Sequence, residues 1–97
     1  MSMKAHICSK YIVKYEILGD WKLFEDFLRW IVANNLESEV NLCYNDDIYL
    51  SDWFEFHKQG LQQLKLHKKY DKTWDSIIEY MLTDSDPDRP FVRVEIF

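Results

Sequence analysis

Glycine, proline and cysteine are scarce in this chain of 97 residues, at two each. With only Gly19 and Gly60, it can hold neither a glycine-rich phosphate loop nor a Gly-x-Ser-x-Gly nucleophile elbow. So few chain breakers also argue against disorder, and no repeat or low-complexity tract is visible. Cys8 and Cys43 form no Cys-x-x-Cys pair, and buried free thiols are expected rather than a disulfide. No apolar run approaches the roughly 18 residues that span a bilayer. Residues 1–10 lack the apolar core of a secretory signal. A cytoplasmic chain with no membrane partner is therefore expected.

The most informative absence is of positive charge. Between Trp30 and His57 there is no lysine or arginine, while Glu37, Glu39, Asp46, Asp47, Asp52 and Glu55 all fall there. Tyr44, Tyr49, Trp53, Phe54 and Phe56 are interleaved with these carboxylates. Rings supply contact area at low entropic cost, and carboxylates supply steering and orientation. Such a mixture suits a surface that grips a cationic protein. The net charge of −5 speaks against nucleic acid as a partner, because phosphates require excess lysine or arginine.

What is present is enough for a core. The chain is 47 % apolar and 16 % aromatic, and residues 1–97 form one small globular domain. Tyr11, Val13, Tyr15 and Ile17 alternate with their neighbours, which predicts a strand over residues 7–18. Gly19 and Asp20 end it, and Asp20 is offered as a helix N-cap. Leu23, Phe24, Phe27, Leu28 and Ile31 then predict an amphipathic helix over residues 21–33, leaving through Asn34 and Asn35. A hairpin is expected over residues 39–51 with its turn at residues 45–47, and a helix from about Trp53, although Asp52, Phe54 and Phe56 alternate with Trp53, Glu55 and His57 in a way that also suits a continuing strand. Leu61, Leu64 and His67 mark a helical stripe ringed by lysines, with Gly60 costing ~1 kcal/mol if it lies inside. Asp71 or Thr73 caps a helix that buries Trp74, Ile77, Ile78, Met81 and Leu82. After a turn-rich loop over residues 84–90, Val92, Val94 and Ile96 predict a final strand. The order β-α-β-β-α-α-β implies an α+β fold, a small and mostly antiparallel sheet with helices packed on one face.

Few residues suggest chemistry. His57 and His67 are candidate acid–base groups, but spacing alone gives them neither convergent geometry nor a perturbed pKa. His6, Cys8 and Cys43 lack a fourth metal ligand. Asp84, Asp86 and Asp88 imitate the start of a calcium loop without its glycine or terminal glutamate. No catalytic residue, metal or cofactor is expected. Lys58, Lys65, Lys68, Lys69 and Lys72 offer a phosphate contact along a helix, or simply a solvated face.

The favoured reading is a small acidic inhibitor, an immunity protein or antitoxin that neutralises a cationic toxin or nuclease, and not an enzyme. Its expected contact residues are Asp46, Asp47, Tyr49, Asp52, Trp53 and Glu55. The competing reading is a nucleic-acid-processing or regulatory subunit using the lysine-rich helix with His57 and His67. Opposite charge in the middle segment and the helix after it also leaves room for a homodimer.

Overall fold

The structure, a computed structural model, describes residues 4–8, 13–85 and 87–96, with the backbone alone for residues 4, 6, 8, 13–21 and 84. The elements run β1 (Lys4–Cys8), β2 (Val13–Asp20), α1 (Trp21–Ala33), β3 (Cys43–Tyr44), β4 (Trp53–His57), α2 (Lys58–Leu64), α3 (Asp75–Asp84) and β5 (Phe91–Ile96). A 3-10 turn, Lys72–Trp74, leads into α3. The strands form one sheet in the order β2-β1-β5-β4-β3, and every described pair is antiparallel. The fold is α+β, with helices packed on one face of the sheet.

Alternation in β4 and β5 builds that face. Phe54 and Phe56 point inward and pair in register with Val94 and Val92. Both phenylalanines meet Phe24 of α1, with ring centroids 5.4 and 6.0 Å apart. Phe24, Phe27, Leu28 and Ile31 are the buried stripe of α1, while Leu23 stands at its exposed margin. The helix ends in a Schellman motif. Asn35 adopts a left-handed φ of 56°, and the Leu36 and Asn35 amides donate to the Ile31 and Val32 carbonyls. Asp71 caps the 3-10 turn by accepting the Thr73 amide at 2.8 Å.

Several expected boundaries are corrected. The strand over residues 7–18 is two strands, β1 and β2, folded against each other. The tyrosine alternation there and the Asp20 cap involve side chains outside the described residues. The hairpin over residues 39–51 is not formed as expected, since Val40 and Leu42 lie in or beside turns and residues 48–50 also turn. Asn41 and Asp46 have φ of 47° and 59°, which ends extended backbone on both sides of Cys43–Tyr44. Val40 is nevertheless fully buried, so its apolar character reflects core packing rather than a strand. Residues 53–57 are strand β4, not helix, and α2 begins only at Lys58. Two-residue alternation prevails there over the capping pattern of Asp52 and Glu55, because it buries both phenylalanines.

Gly60 explains itself in this setting. A Cβ at this position would lie 2.7 Å from the Val40 Cα and closer still to the Glu39 carbonyl oxygen. The turn over residues 36–42 therefore crosses α2 where only glycine fits, and the Val40 carbonyl accepts the His57 amide at 2.7 Å.

Candidate partner-binding rim

On the outer face of the sheet, Trp53, Glu55 and His57 of β4 lie beside Glu95, Arg93 and Phe91 of β5 in register. All six are half-buried. The Arg93 guanidinium donates to Glu55 at 3.1 Å and to Glu95 at 3.4 Å, and stands 4.9 Å from the centre of the Trp53 ring. Glu55 is thus neutralised and Trp53 covered by the same cation. The arginine comes from a strand 38 residues further along, so no local pattern announces it.

Residues 45–52 form the loop that enters β4. Ser51 is buried, and its hydroxyl accepts the Asn45 and Trp53 amides at 3.1 and 3.2 Å while donating to the Trp53 carbonyl. It closes the loop rather than capping a helix. Asp47 accepts the Tyr49 amide at 2.9 Å, an Asx-turn. Tyr49 is half-buried, and the Arg29 guanidinium of α1 lies 4.5 Å from its ring centre. At the far end the Asp52 carbonyl accepts the Ile96 amide, which ties the loop to β5. Asp46, Asp47 and Asp52 are exposed, and none has an ion pair among the described residues. Leu50 stands between them, 84 % exposed.

The six expected contact residues are therefore divided. Trp53 and Glu55 belong to the outer sheet face, and Tyr49 turns toward α1 on the helix side. Asp46, Asp47 and Asp52 form the free rim between. Sequence reasoning missed Arg29, Arg93 and Leu50, because what each does depends on contacts or exposure that only the fold sets.

The lysines do not line a helix as expected. Residues 65–71 wind through turns after α2, held by His67, whose Nδ1 accepts the Lys69 amide at 3.2 Å. Trp30 of α1 supports this turn: its indole N–H donates to the Lys69 carbonyl at 3.3 Å. The Trp30 ring meets His67 and Tyr70 edge-on at 6.3 and 6.0 Å. Lys68, Lys69 and Lys72 are exposed and unpaired among the described residues, while Lys65 reaches Glu79 at 4.0 Å. Tyr70 donates to Asp75 at 2.5 Å. Burial first, then that bond and the Asp75 charge, push its hydroxyl well above the ordinary phenol range. The Thr73 amide and hydroxyl hold the Asp71 carboxyl below its usual range.

His57 and His67 are not brought together. His57 ends β4 opposite Phe91, and His67 packs against Trp30. Cys43 is a free thiol but an exposed one, contrary to the expectation of burial. Among the described residues no three His, Cys, Asp or Glu side chains gather as a metal site, and no helix is long and apolar enough to cross a membrane.

No family model, curated protein or solved structure matches this chain. Any function must be argued from its own surface.

Proposed function

We propose that this chain is a protein-binding module that engages a cationic protein through the acidic loop over residues 45–52. Its role is that of an inhibitor of the immunity-protein or antitoxin kind, with a basic toxin or nuclease as the partner and no catalysis of its own. One observation carries the reading. Asp46, Asp47 and Asp52 are unpaired among the described residues around an exposed leucine, on a loop fixed by Ser51 and Asp47. Fixed like charges attract a basic surface quickly, and an apolar centre slows its release. Trp53 and Tyr49 flank the rim with one face each covered by an arginine, so only their open edges add contact area.

The competing reading, a nucleic-acid-processing subunit, rests on Lys68, Lys69 and Lys72. Net charge of −5 opposes it, as does an Nδ1 of His67 already occupied by the Lys69 amide.

Capture from a native lysate tests the proposal. A basic protein should be retained at low salt and released as salt rises. Reversing Asp46, Asp47 and Asp52 to lysine should slow its association by about tenfold or more. Recovery of no basic partner, or an association rate unchanged by the reversal, would overturn the reading.

A further inference from the structure

The two edges of the sheet are unlike. At one edge β3 is two residues long, and the left-handed φ of Asn41 and Asp46 on either side of it prevents its extension. At the other edge β2 runs for eight residues, Val13–Asp20, without proline and with glycine only near its end. Among the described residues β2 pairs with β1 alone, so its free side presents a row of backbone donors and acceptors. The ladder with β1 does not use β2 fully either. Val13 stands opposite Cys8 and Ile17 opposite His6, so residues 14–16 pass a single residue of β1, Ile7. Helices α1 and α3 both pack against β2, which holds this edge in place.

We infer that this edge receives the β2 edge of a second copy of the chain, antiparallel across a two-fold axis at Tyr15. The result is one continuous sheet of ten strands, five from each copy. Strand addition of this kind draws affinity from backbone hydrogen bonds and selectivity from the residues along the strand. Here the sequence itself selects the occupant and its register. Lys14 and Glu16 lie one residue to either side of Tyr15. Pairing centred on Tyr15 therefore sets Lys14 of each copy opposite Glu16 of the other, and Val13 opposite Ile17. Opposite charges facing each other across strands stabilise a pair, and like charges weaken it. Centring on Lys14 or on Glu16 instead sets that residue opposite its own copy, and any intermediate slip brings opposite faces of the strands together. One register thus satisfies both the backbone and the charges. The acidic loop joins β3 to β4 at the other edge of the sheet, so the dimer leaves both of its acidic loops free. The inference goes beyond the partner-binding reading and does not depend on it.

Sedimentation of the full chain over a wide concentration range is the first measurement, and a reversible monomer–dimer equilibrium is expected. Amide exchange over residues 13–17 should slow as the dimer fills. The decisive test is a charge exchange. Lys14→Glu leaves two carboxylates in the pairing segment of each strand, and Glu16→Lys leaves two ammonium groups. Either variant alone should raise the dissociation constant of the dimer about tenfold or more. Mixed in equal amounts they should form a heterodimer of near-natural affinity. The chain carrying both substitutions should dimerise as well, because it exchanges the charges and keeps their pattern. Circular dichroism confirms that each variant is folded. A natural chain that is monomeric at every concentration overturns the inference. So does a dimer indifferent to both single variants, a mixture that stays monomeric, or exchange over residues 13–17 that ignores concentration. Lys14→Glu leaves the acidic loop intact and should capture a basic protein as the natural chain does, so failure of the dimer and failure of the inhibitor reading are seen separately.

Discussion

The loop over residues 45–52 and the turn over residues 65–71 are alike in exposure and opposite in charge, yet they are fastened to α1 differently. The acidic loop is held by hydrogen bonds of Ser51 and Asp47, by the Ile96 amide on the Asp52 carbonyl and by Ile48 and Tyr49 packed at the edge of the core, and its Tyr49 is stacked by the Arg29 guanidinium of α1. The basic turn rests on rings continuous with the core. Trp30 meets His67 and Tyr70 outward, and Phe27 and Trp74 inward. One loop is thus fastened largely by polar contacts at the edge of the fold, and the other is an outcrop of the core rings. Charge can be rewritten at Asp46 and Asp52 with little effect on stability, because exposed substitutions away from core contacts stay within about 0.5 kcal/mol, whereas Asp47 also holds the Tyr49 amide.

Neighbouring residues of α1 offer the sharpest way to test that contrast. Trp30→Ala should cost about 3 kcal/mol and loosen the basic turn, measured by denaturant unfolding and by amide exchange at Lys69 and Tyr70. A loss comparable to that of a surface substitution would mean that the turn is not anchored by the rings. Ser51→Ala removes the acceptor for two amides and should cost about 1–2 kcal/mol, with exchange rising at Asn45 and Trp53 alone. Arg29→Ala gives up a stacking contact and an exposed pair with Glu25, so about 0.5–1 kcal/mol is expected. If Arg29→Ala destabilises as much as Trp30→Ala, the two loops do not differ as described.

The smallest effect is one of pH. Burial and Asp75 raise the Tyr70 pKa in the folded state above its unfolded value of about 10. A raised value means that the folded chain holds this proton more tightly. The associated stability is therefore complete below about pH 10 and is lost as pH climbs through the folded value. Tyr70→Phe should flatten that alkaline decline. An equally steep alkaline limb in the variant would assign the effect to another group.

Much of the fold is legible where one periodicity dominates. Helix α1 follows from Phe24, Phe27, Leu28 and Ile31 with Asn35 as its exit, and β5 follows from Val92, Val94 and Ile96. Legibility fails where two local patterns compete. Asp52 and Glu55 imitate a capping box inside a segment whose alternation makes it strand β4. Val40 and Leu42 alternate like a strand although Asn41 takes a left-handed φ, which a polar alternation conceals. The rim was only partly legible. Its free carboxylates are local and were found, but Arg29 and Arg93 reach Tyr49, Trp53 and Glu55 from distant elements. A segment without a cation of its own acquires two by folding.

The position of β5 has a consequence for how the molecule is made. It follows every other element in the sequence and yet lies mid-sheet, between β1 and β4. Until it is synthesised, β1–β2 and β3–β4 are separate half-sheets, each with an edge that lacks its partner. Joining them closes loops across most of the domain, which favours slow folding and leaves those edges open to other chains meanwhile. A chain that has not yet seated β5 between its neighbours is thus the state in which those two edges are bare.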